Sequence, residues 1–115
     1  MSKRDIFTLE IIKSGLITAN EEMFYAFGRT AKSPVIYEVL DYAVGITDSK
    51  GELIAQAPGV PGFSGVLDFV AKEVLEKWSG EMRPGDVYIL NVPYKSGTHL
   101  NDVTLAMPVF YRDEL

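Results

Sequence analysis

An α+β fold is predicted for this chain by three features of its sequence. Apolar residues recur at helical spacing in two segments, one beginning at Leu9 and one near Ser64. Four short β-rich runs stand in two pairs, each pair parted by residues that favour turns. These segments fall in the order helix, hairpin, helix, two strands, the order of an α+β domain rather than of a parallel sheet. At 115 residues the length suits a single domain, residues 1–115, with a modest core.

The first helix follows from Leu9, Ile12, Leu16, Ala19, Met23 and Ala26, which share one face, with Ile11, Phe24 and Phe27 widening it. Thr8 is the expected cap, and Pro34 forbids continuation past about Lys32. The simplest role for this helix is core scaffold. Residues 42–57 read as a β-hairpin, with Val44 and Ile46 alternating, Asp48-Ser49-Lys50-Gly51 turning, and Leu53-Ile54-Ala55 returning. Gly51 suits the left-handed position of a bulged turn. Pro58-Gly59-Val60-Pro61-Gly62 makes a rigid connector into a second helix, with Leu67, Val70, Ala71, Val74 and Trp78 facing inward. Gly80 stops that helix, and Arg83-Pro84-Gly85-Asp86 has the order of a type II turn. Two strands follow, Val87–Leu90 and Val103–Met107, joined by a Gly-rich loop containing Pro93, Gly97 and Asn101.

That loop carries the one histidine of the chain, His99, with Asp102 three residues on. Loops braced by strand ends are where function concentrates. Several chemistries are disfavoured. The net charge is −5 with no Lys/Arg stripe, which speaks against nucleic acid. No apolar run approaches the ~18 residues that cross a bilayer. No export signal is seen and cysteine is absent, so a cytoplasmic location is expected and thiolate ligands are excluded. Neither GxxxxGK[ST] nor GxGxxG occurs, so Ser96-Gly97-Thr98 is no nucleotide loop. Ser96, His99 and Asp102 lie within one short loop, whereas hydrolytic triads are assembled from distant segments. On spacing alone, His99 and Asp102 fit either part of a metal site or a loop histidine bonded to nearby backbone. Asp41, at the mouth of the hairpin, reads by itself as a solvated carboxylate.

Five stretches carry a family likeness: FTLEII, GRTAKSP, ITDSKGELIAQAPGVPGF, RPGDVYILNVPY and SGTHLNDVTLAMPVF. From about Phe7 to Phe110 the chain resembles the N-terminal part of the hydantoinase B/oxoprolinase family, whose members are several hundred residues long. The resemblance implies a metal-bearing B-type subunit of an ATP-dependent amidase that opens cyclic amides such as hydantoins or oxoproline. It implies Asp41, His99 and Asp102 as ligands of a divalent ion (Zn, Mn or Fe). A further family histidine is expected beyond the segment. ATP is expected on an A-type partner subunit, not on this chain, and the other expected partners are the remainder of the B-type subunit and further copies in an oligomer. Related acetone and acetophenone carboxylases share this subunit type, so an ATP-dependent carboxylation is the alternative reaction. A non-catalytic assembly subunit from a split gene is a third reading. The family commonly reads Asn-Asp-Pro-Tyr where this chain has Asn91-Val92-Pro93-Tyr94, a change that bears on how the loop is supported.

Overall fold

The computed structural model describes residues 2–56, 66–91 and 102–115. The chain groups into two compact units, residues 1–46 with 54–64 and residues 47–53 with 65–115. The element order is the predicted α+β one, with one short helix added.

In the first unit, helix α1 (Lys3–Thr30) begins well before the expected start. Ser2 Oγ accepts from the Asp5 backbone N–H at 3.3 Å, and the Asp5 carboxylate accepts from the Ser2 backbone N–H at 3.0 Å. This reciprocal box satisfies two N–H groups that a helix end otherwise leaves unpaired. Thr8 is no cap: its hydroxyl donates to the Arg4 carbonyl inside the helix. The C-terminal limit set by Pro34 holds, since α1 ends at Thr30 with Ala31 as its cap.

The buried stripe of α1 keeps only Leu16 and Phe24 of the predicted face. Leu9, Ile12 and Met23 are 51%, 53% and 40% exposed, whereas Asn20 and Phe24 are buried, with Leu16 and Gly28 half-buried in line with them. Phe24 stacks on Tyr42 with centroids 4.5 Å apart and planes 23° off parallel, and Phe27 flanks the same ring at 5.0 Å. The Tyr42 hydroxyl donates to the Phe24 carbonyl at 2.7 Å. Burial, reinforced by Tyr25, raises the Tyr42 pKa above its ordinary value. Gly28 makes room for this hydroxyl, because a Cβ there would lie 2.5 Å from the Tyr42 oxygen. Ile36 and Val44 pack around the pair. The Asn20 carboxamide is fully buried and has no hydrogen-bond partner among the described residues. A single turn of helix, α2 (Pro34–Tyr37), uses Pro34 at its first position, where a missing N–H costs nothing.

Strands β1 (Gly45–Thr47) and β2 (Leu53–Gln56) pair as the predicted hairpin. In its turn the Asp48 carboxylate accepts from the backbone N–H groups of Lys50 and Glu52, each at 2.9 Å. Those bonds, that from Glu52 leading, hold the Asp48 pKa below its ordinary value. Gly51 has the expected left-handed φ of 84°.

In the second unit, helix α3 (Leu67–Trp78) buries Val70 and Val74 and half-buries Leu67 and Ala71, as its spacing predicts. The Trp78 ring lies 5.6 Å from that of Tyr88. Gly80 (φ 86°) ends the helix region, and Gly85 (φ 90°) with an Asp86 N–H to Arg83 carbonyl bond of 3.1 Å forms the type II turn. Strand β3 (Tyr88–Leu90) pairs antiparallel with β4 (Thr104–Ala106), in register Tyr88↔Ala106, Ile89↔Leu105 and Leu90↔Thr104. Exposure alternates residue by residue through 102–110, so the run stays extended beyond the paired part. The half-buried face carries Tyr88, Leu90, Thr104 and Ala106. The exposed face is apolar too, with Val87, Ile89, Val103, Leu105, Met107 and Val109 between 56% and 77% exposed. The chain then reverses at Arg112-Asp113 (φ 49° and 65°), where Tyr111 and Glu114 exchange backbone hydrogen bonds of 2.9 and 3.0 Å. No helix among the described residues is long and apolar enough to cross a membrane.

Candidate functional site

Asp41 owes its position to the way α2 stops. The Leu40 N–H bonds the Ile36 carbonyl at 3.0 Å, and the Asp41 N–H reaches back to the Val35 carbonyl at 3.1 Å. The Leu40 bond is the 5→1 bond of an αL close, which needs a left-handed residue at Leu40 (φ 60°), where glycine is usual. A leucine in that region costs about 1–2 kcal/mol. On its other side Asp41 is followed by Tyr42, pinned to the Phe24 carbonyl. The backbone at Asp41 is thus fixed from both directions. Asp41 is half-buried, and its carboxylate makes no hydrogen bond or ion pair among the described residues. A half-buried carboxylate with no partner among the described residues leaves its oxygens open to solvent or to a cation.

Asp102 sits in the second unit, two residues before β4, and is half-buried. Its carbonyl oxygen accepts from the side-chain amide of Asn91, just past the end of β3. That bond ties the two stems of the 92–101 segment together at the mouth of the hairpin. Asn91 is therefore a positioning residue that sequence reading passed over. The signal was an asparagine at a strand end two residues before a proline, a place where side-chain amides bond neighbouring backbone.

At the opposite end of the β3–β4 pair, the Asp86 carboxylate accepts from the Arg83 backbone N–H at 2.9 Å and from the Tyr88 hydroxyl at 3.3 Å. Desolvation, then the Asp86 charge, raises the Tyr88 pKa. This is turn architecture and stands away from Asp102.

His99 and the Gly-rich loop that holds it lie outside the described residues, as does Val92. Among the described residues no three His, Cys, Asp or Glu side chains gather closely enough to hold a metal. Asp41 belongs to the first unit and Asp102 to the second. In donor chemistry, two carboxylate oxygens and an imidazole nitrogen fit Zn, Mn or Fe. The described carboxylates suit that role by their partial burial.

The fold and these residues define a class: an α+β segment presenting carboxylates at element ends held by backbone bonds. The sequence profile of the hydantoinase B/oxoprolinase family matches residues 5–115, and the chain belongs to that family. It is 45% identical over 114 residues to an uncharacterized protein of Methanocaldococcus jannaschii, a match covering 96% of this chain and 20% of that one. To the caprolactamase subunit beta of Pseudomonas jessenii it is 33% identical over 115 residues, covering 100% of this chain and 20% of the relative. To the 5-oxoprolinase of Saccharomyces cerevisiae it is 40% identical over 82 residues, covering 71% and 6%. The chain thus spans no more than about a fifth of the length of these relatives. No solved structure matches it.

Proposed function

We propose that this chain is a ligand-bearing segment of the B-type component of an ATP-dependent cyclic-amide hydrolase, acting on hydantoin- or oxoproline-like rings. The observation that carries the reading is the family match over residues 5–115. Two relatives support the substrate class: oxoproline and caprolactam, from which these enzymes take their names, share an amide inside a ring. In this reading Asp41, His99 and Asp102 hold one divalent ion. When bound there, such an ion lowers the pKa of a coordinated water towards 7 and so makes hydroxide available at neutral pH. The work of the protein is placement. The αL close of α2 and the Tyr42 anchor fix Asp41, and the Asn91 amide fixes the backbone at Asp102.

An amide is a poor electrophile, and this chain has no phosphate-binding loop. Activation of the ring by ATP is therefore assigned to an A-type partner subunit. The word subunit in the caprolactamase name supports a multi-chain enzyme. So do the exposed apolar residues of α1, Ile6, Phe7, Leu9, Ile11 and Ile12, whose extent suits contact with protein.

The test is reconstitution with an A-type subunit and the remainder of a B-type subunit, supplied with 5-oxoproline or hydantoin, ATP and divalent metal. Ring opening is expected, with a loss of at least 100-fold on Asp41→Asn, His99→Ala or Asp102→Asn, as for disrupted metal sites. The 115-residue chain alone should be silent. Turnover by the isolated chain, or incorporation of labelled bicarbonate in place of ring opening, would overturn the assignment.

A further inference from the structure

The Arg112-Asp113 reversal is a two-residue turn with both central residues left-handed, the type I′ geometry whose twist matches paired strands. Neither residue is glycine. Arginine is a poor occupant of that region, so the turn is held against a local preference, helped by the Arg112 guanidinium 5.1 Å over the Tyr111 ring. The turn begins a strand pairing, because Tyr111 and Glu114 already exchange both backbone bonds.

Alternate residues of an extended strand send their N–H and C=O groups to opposite edges. Tyr111 sends both to the returning arm. By that alternation, with exposure alternating through 102–110, those of Val109, Met107 and Leu105 belong to the same edge. Pro108, which has no N–H, has the other parity, so the edge presents an unbroken row of donors and acceptors. Among the described residues β4 pairs only with β3. Among the described residues no second strand covers this edge, and no lysine or other charge stands between Val103 and Tyr111.

We propose that this edge takes a third antiparallel strand, formed by polypeptide on the C-terminal side of the Arg112-Asp113 turn and hydrogen-bonded to Leu105, Met107 and Val109. The occupant is assigned from two facts. The turn already aims the backbone along that edge, and relatives carry this segment in chains about five times longer. The strand widens a sheet whose outer face is apolar, so it is expected to alternate apolar residues on that face. The inference does not rest on the proposed function.

The test compares amide hydrogen exchange in the 115-residue chain and in a version extended by the ~10 residues that follow the aligned segment in the M. jannaschii relative, enough for one strand. If the extended chain is insoluble, the same strand added as a synthetic peptide gives the same readout. The amides of Leu105, Met107 and Val109 are expected to slow by at least ~100-fold on extension, while those of Ala106 and Phe110 change little. Equal exchange at the three odd-numbered amides with and without the added strand would overturn the proposal. So would protection in the 115-residue chain that rises with protein concentration, which would assign the edge to a second copy.

Discussion

Helices α1 and α3 both carry apolar residues at helical spacing, and their fates differ. In α3 four of the five predicted residues turn inward, with Val70 at 2% and Val74 at 5% exposure, while Trp78, at 37%, stays exposed. In α1 most of the predicted face is exposed, and burial falls on Phe24 from its predicted edge, on Asn20, which no apolar pattern counts, and in part on Leu16. Burying a valine or leucine side chain contributes about 1.5–3 kcal/mol, so both helices want cover for their stripes. Only α3 finds it among the described residues. Periodicity shows which residues seek burial; it does not show whether the burying partner lies in the same stretch of chain.

The largest effect that would break this comparison is expected at Phe24. Phe24→Ala removes a buried ring and the stacking partner of Tyr42, and should cost about 3–5 kcal/mol in denaturant unfolding. Ile11→Ala, at a site 72% exposed, should fall within about 0.5 kcal/mol of wild type. Comparable costs would mean that α1 buries its predicted stripe after all.

A middle-sized effect sharpens the account of the buried stripe. In Gly28→Ala the added Cβ meets the Tyr42 hydroxyl, and the strain should cost about 1–3 kcal/mol. Combined with Tyr42→Phe, the same substitution should be nearly neutral, giving a clear coupling in the double-mutant cycle. Additive costs would show that the hydroxyl is not what excludes a side chain there.

The smallest effect concerns the hairpin turn. Asp48 has a folded pKa below its ordinary 3.8, so its contribution is fully present above that value and fades as pH falls through the lower folded value. Acid titration of wild type against Asp48→Asn should show the variant losing less stability over that window. Parallel curves would remove the carboxylate from the turn's account.

Much of the fold was legible because its signals are local. Gly51 and Gly85 sit where turn chemistry demands a left-handed residue, and both adopt one. The inward turn of Leu67, Val70, Ala71 and Val74 followed from helical spacing, and the presence of β3 and β4 followed from their β-rich runs; their pairing had to be seen. What escaped depends on particular contacts. The capping box at Ser2 uses Asp5 where glutamate or glutamine is the usual sign, so the start of α1 was read too late. The buried stripe of α1 contains Asn20 and Gly28, residues that no apolar pattern counts. Leu40 in a left-handed conformation is set by the packing that follows it, since leucine is not a residue that seeks that region. Of the candidate site, His99 and Asp102 stand out in the sequence by residue type and spacing, whereas Asp41 enters only through the family resemblance. The anchors that position the aspartates, Tyr42 and Asn91, act through single hydrogen bonds that spacing does not encode.

The central proposal is that Asp41, His99 and Asp102 share one ion, and calorimetric titration of the chain with Mn²⁺ or Zn²⁺ tests it most directly. One ion per chain is expected, with affinity falling at least 10-fold in each of Asp41→Asn, His99→Ala and Asp102→Asn while circular dichroism stays unchanged. An Asp41→Asn chain that titrates as wild type does would contradict it.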